Sequence, residues 1–495
     1  MKFYKKILKH TTFYGISNLF ISLTGFILIP LYTKHLRPEE YGVYSIIALL
    51  GTVILYIYDM GILNALVRHY FEFDTDDIDK KRRMVSTALW FFIIVSILFS
   101  VFLLWGSTSI STLILGGRKY TYLLQMMIAI IFLKTVSGIP MTVLRMKEKS
   151  VLFMCLYGLN GLGIIVLSYI FLSIINKGIV GVFQSLLLAT IIFAISSFAF
   201  TFRNYGFSFS FRYLVQMLKY GLPLSLAMLF SWIIDFSDRY LIRYFLSLSD
   251  VGLYSLGYKF GQIIYMVVLS FLMCWGPILF TIVKEQNPQK TLARLSTYIA
   301  TVFMFVCLIV SFFCREIVIL MAESSYYSSY RIVPLISFSY YLFGIYMLFL
   351  SGILISKHVF KQPLILGAAS VINIILNIIL IPRQGIMGAA VATIITYLFV
   401  AVSTYLIAQR SYPIPYELNR LMLVTLVGII IFVLSLLVSN SSLVYTVVIK
   451  FIILWLFPLS LFILGIFSKE QLQKSKEIIV RAVFKNNLPG WMKPK

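Results

Sequence analysis

Charge is what this sequence has least of. Only 12% of its 495 residues are Asp, Glu, Lys or Arg, while 60% are hydrophobic and the mean hydropathy is +0.94. Soluble domains carry roughly a quarter charged residues, so water is excluded as the solvent for most of this surface. Cysteine is also sparse. Cys155, Cys274, Cys307 and Cys314 lie in or at the edge of apolar segments and form no CxxC or Cys/His spacing, so neither a disulfide nor a metal site is expected. No GxGxxG, Walker loop or Ser/His/Asp arrangement is present, and the expectation is a protein that is not an enzyme and holds no cofactor. Short runs of alternating polarity, the mark of a membrane β-barrel, are missing too.

What the chain does have is long apolar segments separated by short polar gaps. About 20 such residues span the roughly 30 Å hydrocarbon core as a helix. The sequence predicts an all-α polytopic membrane protein with about 14 helices, near 11–33, 40–62, 84–105, 120–143, 151–175, 178–201, 214–236, 251–277, 293–313, 332–355, 362–381, 385–408, 419–438 and 443–467. The basic N-terminal MKFYKKILKH precedes an apolar run too long for a signal peptide and without an Ala-x-Ala-like site, which predicts a retained first helix.

The net charge of +24 comes from Lys and Arg dispersed through the interhelical loops, not from a basic stripe, and no nucleic-acid partner is expected. Topology accounts for the bias. With the N-terminus cytoplasmic, 29 of the 42 Lys/Arg fall on the cytoplasmic side and 10 on the other, leaving Lys134, Lys259 and Lys450 inside helices. This excess predicts that both termini are cytoplasmic.

Two segments repeat at nearly one spacing. Leu36-x4-Tyr41-Gly42-Val43-Tyr44-Ser45 resembles Leu246-x4-Val251-Gly252-Leu253-Tyr254-Ser255 at an offset of 210, and Gly178-Ile179-Val180-Gly181 resembles Gly385-Ile386-Met387-Gly388 at 207. An offset of six helices, an even number, predicts two pseudo-symmetric lobes related by an axis along the membrane normal, as in transporters. The expected division is residues 1–205 (helices 1–6), 206–412 (helices 7–12), an appended helix pair at 413–467, and a basic tail at 468–495 lying on the anionic inner leaflet.

Several short motifs carry a family resemblance. They are Tyr14-Gly15 and Ser17-Asn18 in helix 1, Pro30-Leu31-Tyr32-Thr33 closing it, Glu39-Glu40-Tyr41-Gly42-Val43-Tyr44 opening helix 2, and Asp59-Met60-Gly61-Ile62 followed by Arg68. Asp238-Arg239-Tyr240-Leu241-Ile242 and Asn377-Ile378 through Pro382 to Gly385-Ile386 and Gly388-Ala389-Ala390 continue the pattern in the second half. The chain resembles the multidrug/oligosaccharidyl-lipid/polysaccharide (MOP) exporter superfamily, in particular the Wzx-type flippases of O-antigen and capsule repeat units. The resemblance implies a bacterial cytoplasmic-membrane protein that carries undecaprenyl-diphosphate-linked oligosaccharide to the outer leaflet by alternating access, with membrane lipids and polysaccharide polymerase machinery as further partners.

Intramembrane charges are costly on the lipid face and are functional candidates by default. Lys259, beside Gly257, Gly261 and Gln262, is the first candidate for the diphosphate, its alternative being a lysine that snorkels outward. Arg239, Arg68, Lys134 and Asn18 are further candidate cavity residues. Asp59, Asp235 and Asp238 are candidates for gating or coupling; the alternatives are a surface ion-pair patch around helix 7 and ordinary helix-end charges. Lys450 is expected to contact lipid headgroups or helix 13. Two other functions compete. A drug/cation antiporter of the same superfamily needs a membrane-embedded acid, and a membrane glycosyltransferase or polymerase would use Asp74-x-Asp76-Asp77, a short run followed at once by Lys80-Lys81-Arg82-Arg83 and so more readily a solvated loop.

Overall fold

The computed structural model describes residues 23–73, 77–202, 206–283, 286–356, 360–438 and 443–466. These form helices and no strand. Thirteen helices among them are long and apolar enough to cross a membrane, and helical residues 23–35 (α1) belong to the expected first span. The chain is a multi-pass membrane protein.

In order, the helices after α1 are α2 (Pro38–Asp59), α3 (Ile62–Tyr70), α4 (Ile78–Trp105), α5 (Ser107–Leu115), α6 (Thr121–Met146), α7 (Ser150–Tyr169), α8 (Gly178–Thr201), α9 (Phe211–Phe236) and α10 (Asp238–Phe245). Then come α11 (Leu248–Gly261), α12 (Ile263–Ile282), α13 (Pro288–Phe312), α14 (Cys314–Met321), α15 (Val333–Ile355), α16 (Lys361–Gln384), α17 (Ile386–Ser411), α18 (Leu418–Leu436) and α19 (Leu443–Ile463). Three breaks were not expected. The second span turns at Met60-Gly61, both with positive φ, and continues as α3, which carries Arg68. The seventh passes through Ser237 into α10, so Asp238, Arg239 and Arg243 are helical, not loop, residues. The loop after α13 holds α14 and a 3-10 segment, Ser324–Ile332.

Two compact units divide the described residues: those up to Ser255 with Met321–Tyr326, and Leu256–Leu320 with Tyr327 onward. In the first, an apolar cluster joins Ile62, Ala65 and Leu66 of α3 to Met84, Ala88 and Phe92 of α4, Ile139 and Val143 of α6, and Leu214 and Met217 of α9. In the second, α15 is nearly enveloped, with Tyr340, Tyr341 and Tyr346 all buried, and packs chiefly on α13 and α17. Helices in lipid gain no hydrophobic drive from meeting one another; close packing and hydrogen bonds hold them. Buried Asn373 donates to Thr396 Oγ1 at 3.1 Å, and Asn377 donates to Asn373, which ties α16 to α17. Lipid takes the opposite faces: Leu98, Phe102, Ile195, Val433 and Ile452 are all exposed.

The sequence repeat has a geometric counterpart inside the first unit. A Cβ on Gly42 would overlap the carbonyl oxygen of Leu248, and one on Gly252 would overlap that of Pro38. Each pair of equivalents, Gly42 and Gly252 or Pro38 and Leu248, is 210 residues apart. The first turns of α2 and α11 therefore cross with their backbones in reciprocal contact, which only glycine allows. The second echo is conformational: Gly178 and Gly385, opening α8 and preceding α17, both have positive φ, +54° and +61°.

Candidate functional site

Charge within the first unit gathers where α9 turns into α10. Asp238 and Arg239 are adjacent in sequence and both buried, 0% and 3% exposed. Arg239 Nη1 donates to Asp238 Oδ1 at 2.6 Å and to the carbonyl of Asp235. The Tyr254 hydroxyl, from α11, donates to the other Asp238 oxygen, and the guanidinium lies over the Tyr254 ring at 4.9 Å and the Phe236 ring at 5.4 Å. A buried pair survives when hydrogen bonds take up its remaining lone pairs, and the Tyr254 hydroxyl does so for the second Asp238 oxygen. Asp238 and Arg239 therefore form a buried pair and not a surface one, while Asp235 and Arg243 are part-exposed. Sequence inspection did not single out Tyr254; the available signal was its place in the repeat, where it stands opposite Tyr44.

Asp59 ends α2, and its Oδ1 accepts the Leu63 N–H at 3.1 Å, satisfying one of the first amides of α3 that helical bonding leaves open. Gly61 permits the turn, with φ at +72°, and its Cα lies against the Gly221 backbone of α9. Asp235 lies near the end of α9, which packs against α2.

The cations disperse. Arg68 is half exposed, lies 3.6 Å from Glu72 and covers the Tyr220 ring at 4.4 Å. Lys134 is exposed in the middle of α6, although Ile130, Ile131, Ser137 and Met141, its neighbours along that side of the helix, are buried. Arg243 points at the helix end of α5, donating to the Leu115 carbonyl at 3.4 Å. Asn18 lies outside the described residues, as do Asp74 and Asp76; Asp77 pairs with Lys80 at 3.0 Å across the first turn of α4.

In the second unit, Lys259 is half-buried on α11 and makes no ion pair with any described residue. Its neighbours have structural jobs. A Cβ on Gly257 would overlap the Ser329 carbonyl oxygen and one on Gly261 would sit 2.6 Å from Ile336, so this side of α11 is pressed against Ser324–Ile332 and α15. Gln262 donates to the Tyr340 hydroxyl at 3.1 Å, and Tyr258 shares that hydroxyl at 2.9 Å. Two residues from each glycine, Lys259 falls on the opposite side of the helix. Among the described residues no group of three or more His, Cys, Asp or Glu could hold a metal.

Apolar spans in this order define a helical membrane protein, and its fold is that of solved transporters of the MOP superfamily. Lipid II flippase MurJ in an inward closed conformation superposes with a TM-score of 0.69 over 90% of this chain and 97% of that one, at 16% identity. An inward-facing multidrug resistance MATE transporter superposes with a TM-score of 0.61 over 83% and 95%, at 15% identity. The chain belongs to the polysaccharide biosynthesis protein family, whose pattern matches residues 7–283. Succinoglycan biosynthesis transport protein ExoT of Rhizobium meliloti is 23% identical over 283 residues, 56% of this chain and 55% of that protein, so the match spans about half the relative's length.

Proposed function

We propose that the protein is a flippase that moves a polyprenyl-diphosphate-linked oligosaccharide repeat unit across the bacterial cytoplasmic membrane, by alternating access, for O-antigen or capsule synthesis. The observation that carries this reading is Lys259, a membrane-helix cation with no described ion partner, which suits an anionic headgroup. Family membership and the likeness to a succinoglycan transport protein support the lipid-linked glycan. Lys259 takes the diphosphate, with Lys134 and Asn18 as further contacts. Arg68 adds a further contact, and Arg239 reaches a headgroup by exchanging Asp238, which has the gating role together with Asp59 and Asp235. The two lobes at 1–205 and 206–412, the appended pair at 413–467, the inward-lying tail and both cytoplasmic termini belong to this proposal, as does delivery to a polymerase.

The test is export in a deletion strain. Loss of the protein should leave lipid-linked repeat units on the cytoplasmic leaflet; Lys259→Arg should restore export and Lys259→Ala should not. Full export by both Lys259→Ala and Lys259→Glu would overturn the role of this residue. A cation antiporter is the second reading, favoured by the acids Asp59 and Asp235 on the packed helices α2 and α9. A deletion strain that gains drug sensitivity with unchanged surface glycan would select it.

A further inference from the structure

A cavity of about 480 Å³ lies within the second unit, away from Lys259 in sequence, and no step of the proposed transport uses it. Its walls come from helix ends: Phe312 closes α13, Pro334 and Leu335 open α15, Met387 opens α17, and Ser435 and Leu436 close α18. Helix ends of a membrane bundle mark headgroup depth. Three cations line it, Arg315, Arg331 and Lys450. Lys450 is nine-tenths buried, donating to the Phe312 carbonyl at 2.8 Å and to Glu316 Oε1 at 2.7 Å. Glu316 balances that charge. Arg315 and Arg331 are exposed and make no ion pair with a described residue, so the cavity keeps a net positive charge at its mouth.

Ser311, Tyr330 and Ser435 add polar groups, but most of the remaining wall is apolar and continues onto lipid-facing surface: Phe432 and Leu335 line the cavity, and Leu436 is 63% exposed. Two guanidinium groups offer the planar forks that recognise phosphate oxygens. Cationic mouth, greasy wall and position at a helix-end layer together match an amphiphile with an anionic head. A glycan of several sugars exceeds the volume, whereas a glycerophosphate group fits within a few hundred Å³.

We propose that this cavity binds the phosphate headgroup of a resident anionic glycerophospholipid, held by Arg315 and Arg331, with an acyl chain along Phe432 and Leu436. The site is separate from the transported substrate and does not depend on the flippase reading. Lys450 and Glu316 are its structural floor, fixing α19 to the end of α13.

The experiment uses the full chain in nanodiscs of phosphatidylcholine with or without phosphatidylglycerol, followed by release and native mass spectrometry of retained lipid. Phosphatidylglycerol should be retained selectively, and Arg315→Ala/Arg331→Ala should weaken that retention about tenfold, whereas Arg315→Lys/Arg331→Lys, which keeps the charge and loses the planar forks, should fall between the two. Lys147→Ala/Lys149→Ala, in the basic loop between α6 and α7 of the first unit, should match the wild type. Equal retention of the two lipids, or full retention by the double alanine variant, overturns the site. Inorganic phosphate added to lipid-depleted protein should not raise its melting temperature; stabilisation equal to that by phosphatidylglycerol would make free phosphate the ligand and overturn the lipid assignment.

Discussion

Gly42 and Gly252, equivalent residues of the two repeats, meet backbone to backbone, each closing on a carbonyl one turn before the other. Adding a methyl at either position forces the helices apart. Gly42→Ala and Gly252→Ala should each lower stability by about 1–3 kcal/mol, as overpacking does, and by similar amounts. The double variant should lose less than the sum, because one displacement accommodates both methyls. Gly158→Ala, where a Cβ meets nothing within 4 Å, should be neutral or stabilising. Detergent-solubilised melting curves check all four.

The Asp238–Arg239 pair predicts a steep asymmetry. Arg239→Ala leaves the Asp238 carboxylate buried without its cation and should cost about 3–5 kcal/mol. Tyr254→Phe removes one charge-assisted bond and should cost about 1.5–3 kcal/mol. Comparable small losses for both would mean the network opens to water.

Lys450 and Glu316 should behave as a unit. Lys450→Met alone strands a nearly buried carboxylate and should destabilise by about 3–5 kcal/mol, whereas Lys450→Met/Glu316→Leu should recover most of that. The recovery is read from melting temperature and tests the pair apart from any lipid.

Asp59 separates folding from transport. Asp59→Ala removes the acceptor for Leu63 and should cost about 1 kcal/mol, in the range of lost helix caps. Asp59→Asn keeps an acceptor there and should leave stability unchanged. If the acid has the proposed coupling role, Asp59→Asn should still reduce export about tenfold or more. Normal export would confine Asp59 to holding the turn.

Orientation is checked with a single cysteine at Lys80 in a cysteine-free background. A membrane-impermeant thiol reagent should label it only after the cells are opened. Labelling of intact cells would invert the topology.

The spans were legible because a bilayer demands long apolar runs, a constraint that is local in sequence. The breaks were less so: Met60-Gly61 sits inside a largely apolar pattern, and the turn there is tied to the close approach of Gly221 from another helix. Asp238 and Arg239 lie at a span's end, where charges ordinarily meet water, so their burial depends on Tyr254 arriving from another helix. Lys450 found Glu316 at 134 residues' distance, a pairing that no spacing rule encodes. Gly257 and Gly261 looked like neighbours of a substrate lysine, yet at helical spacing they define the packed side and leave Lys259 on the other.

A residue touching its own counterpart is what a two-fold symmetric dimer does at its axis. Here both partners belong to one polypeptide, so Gly42 and Gly252 bear on a single crossing, and a side chain added at either one presses on the backbone of the other's helix.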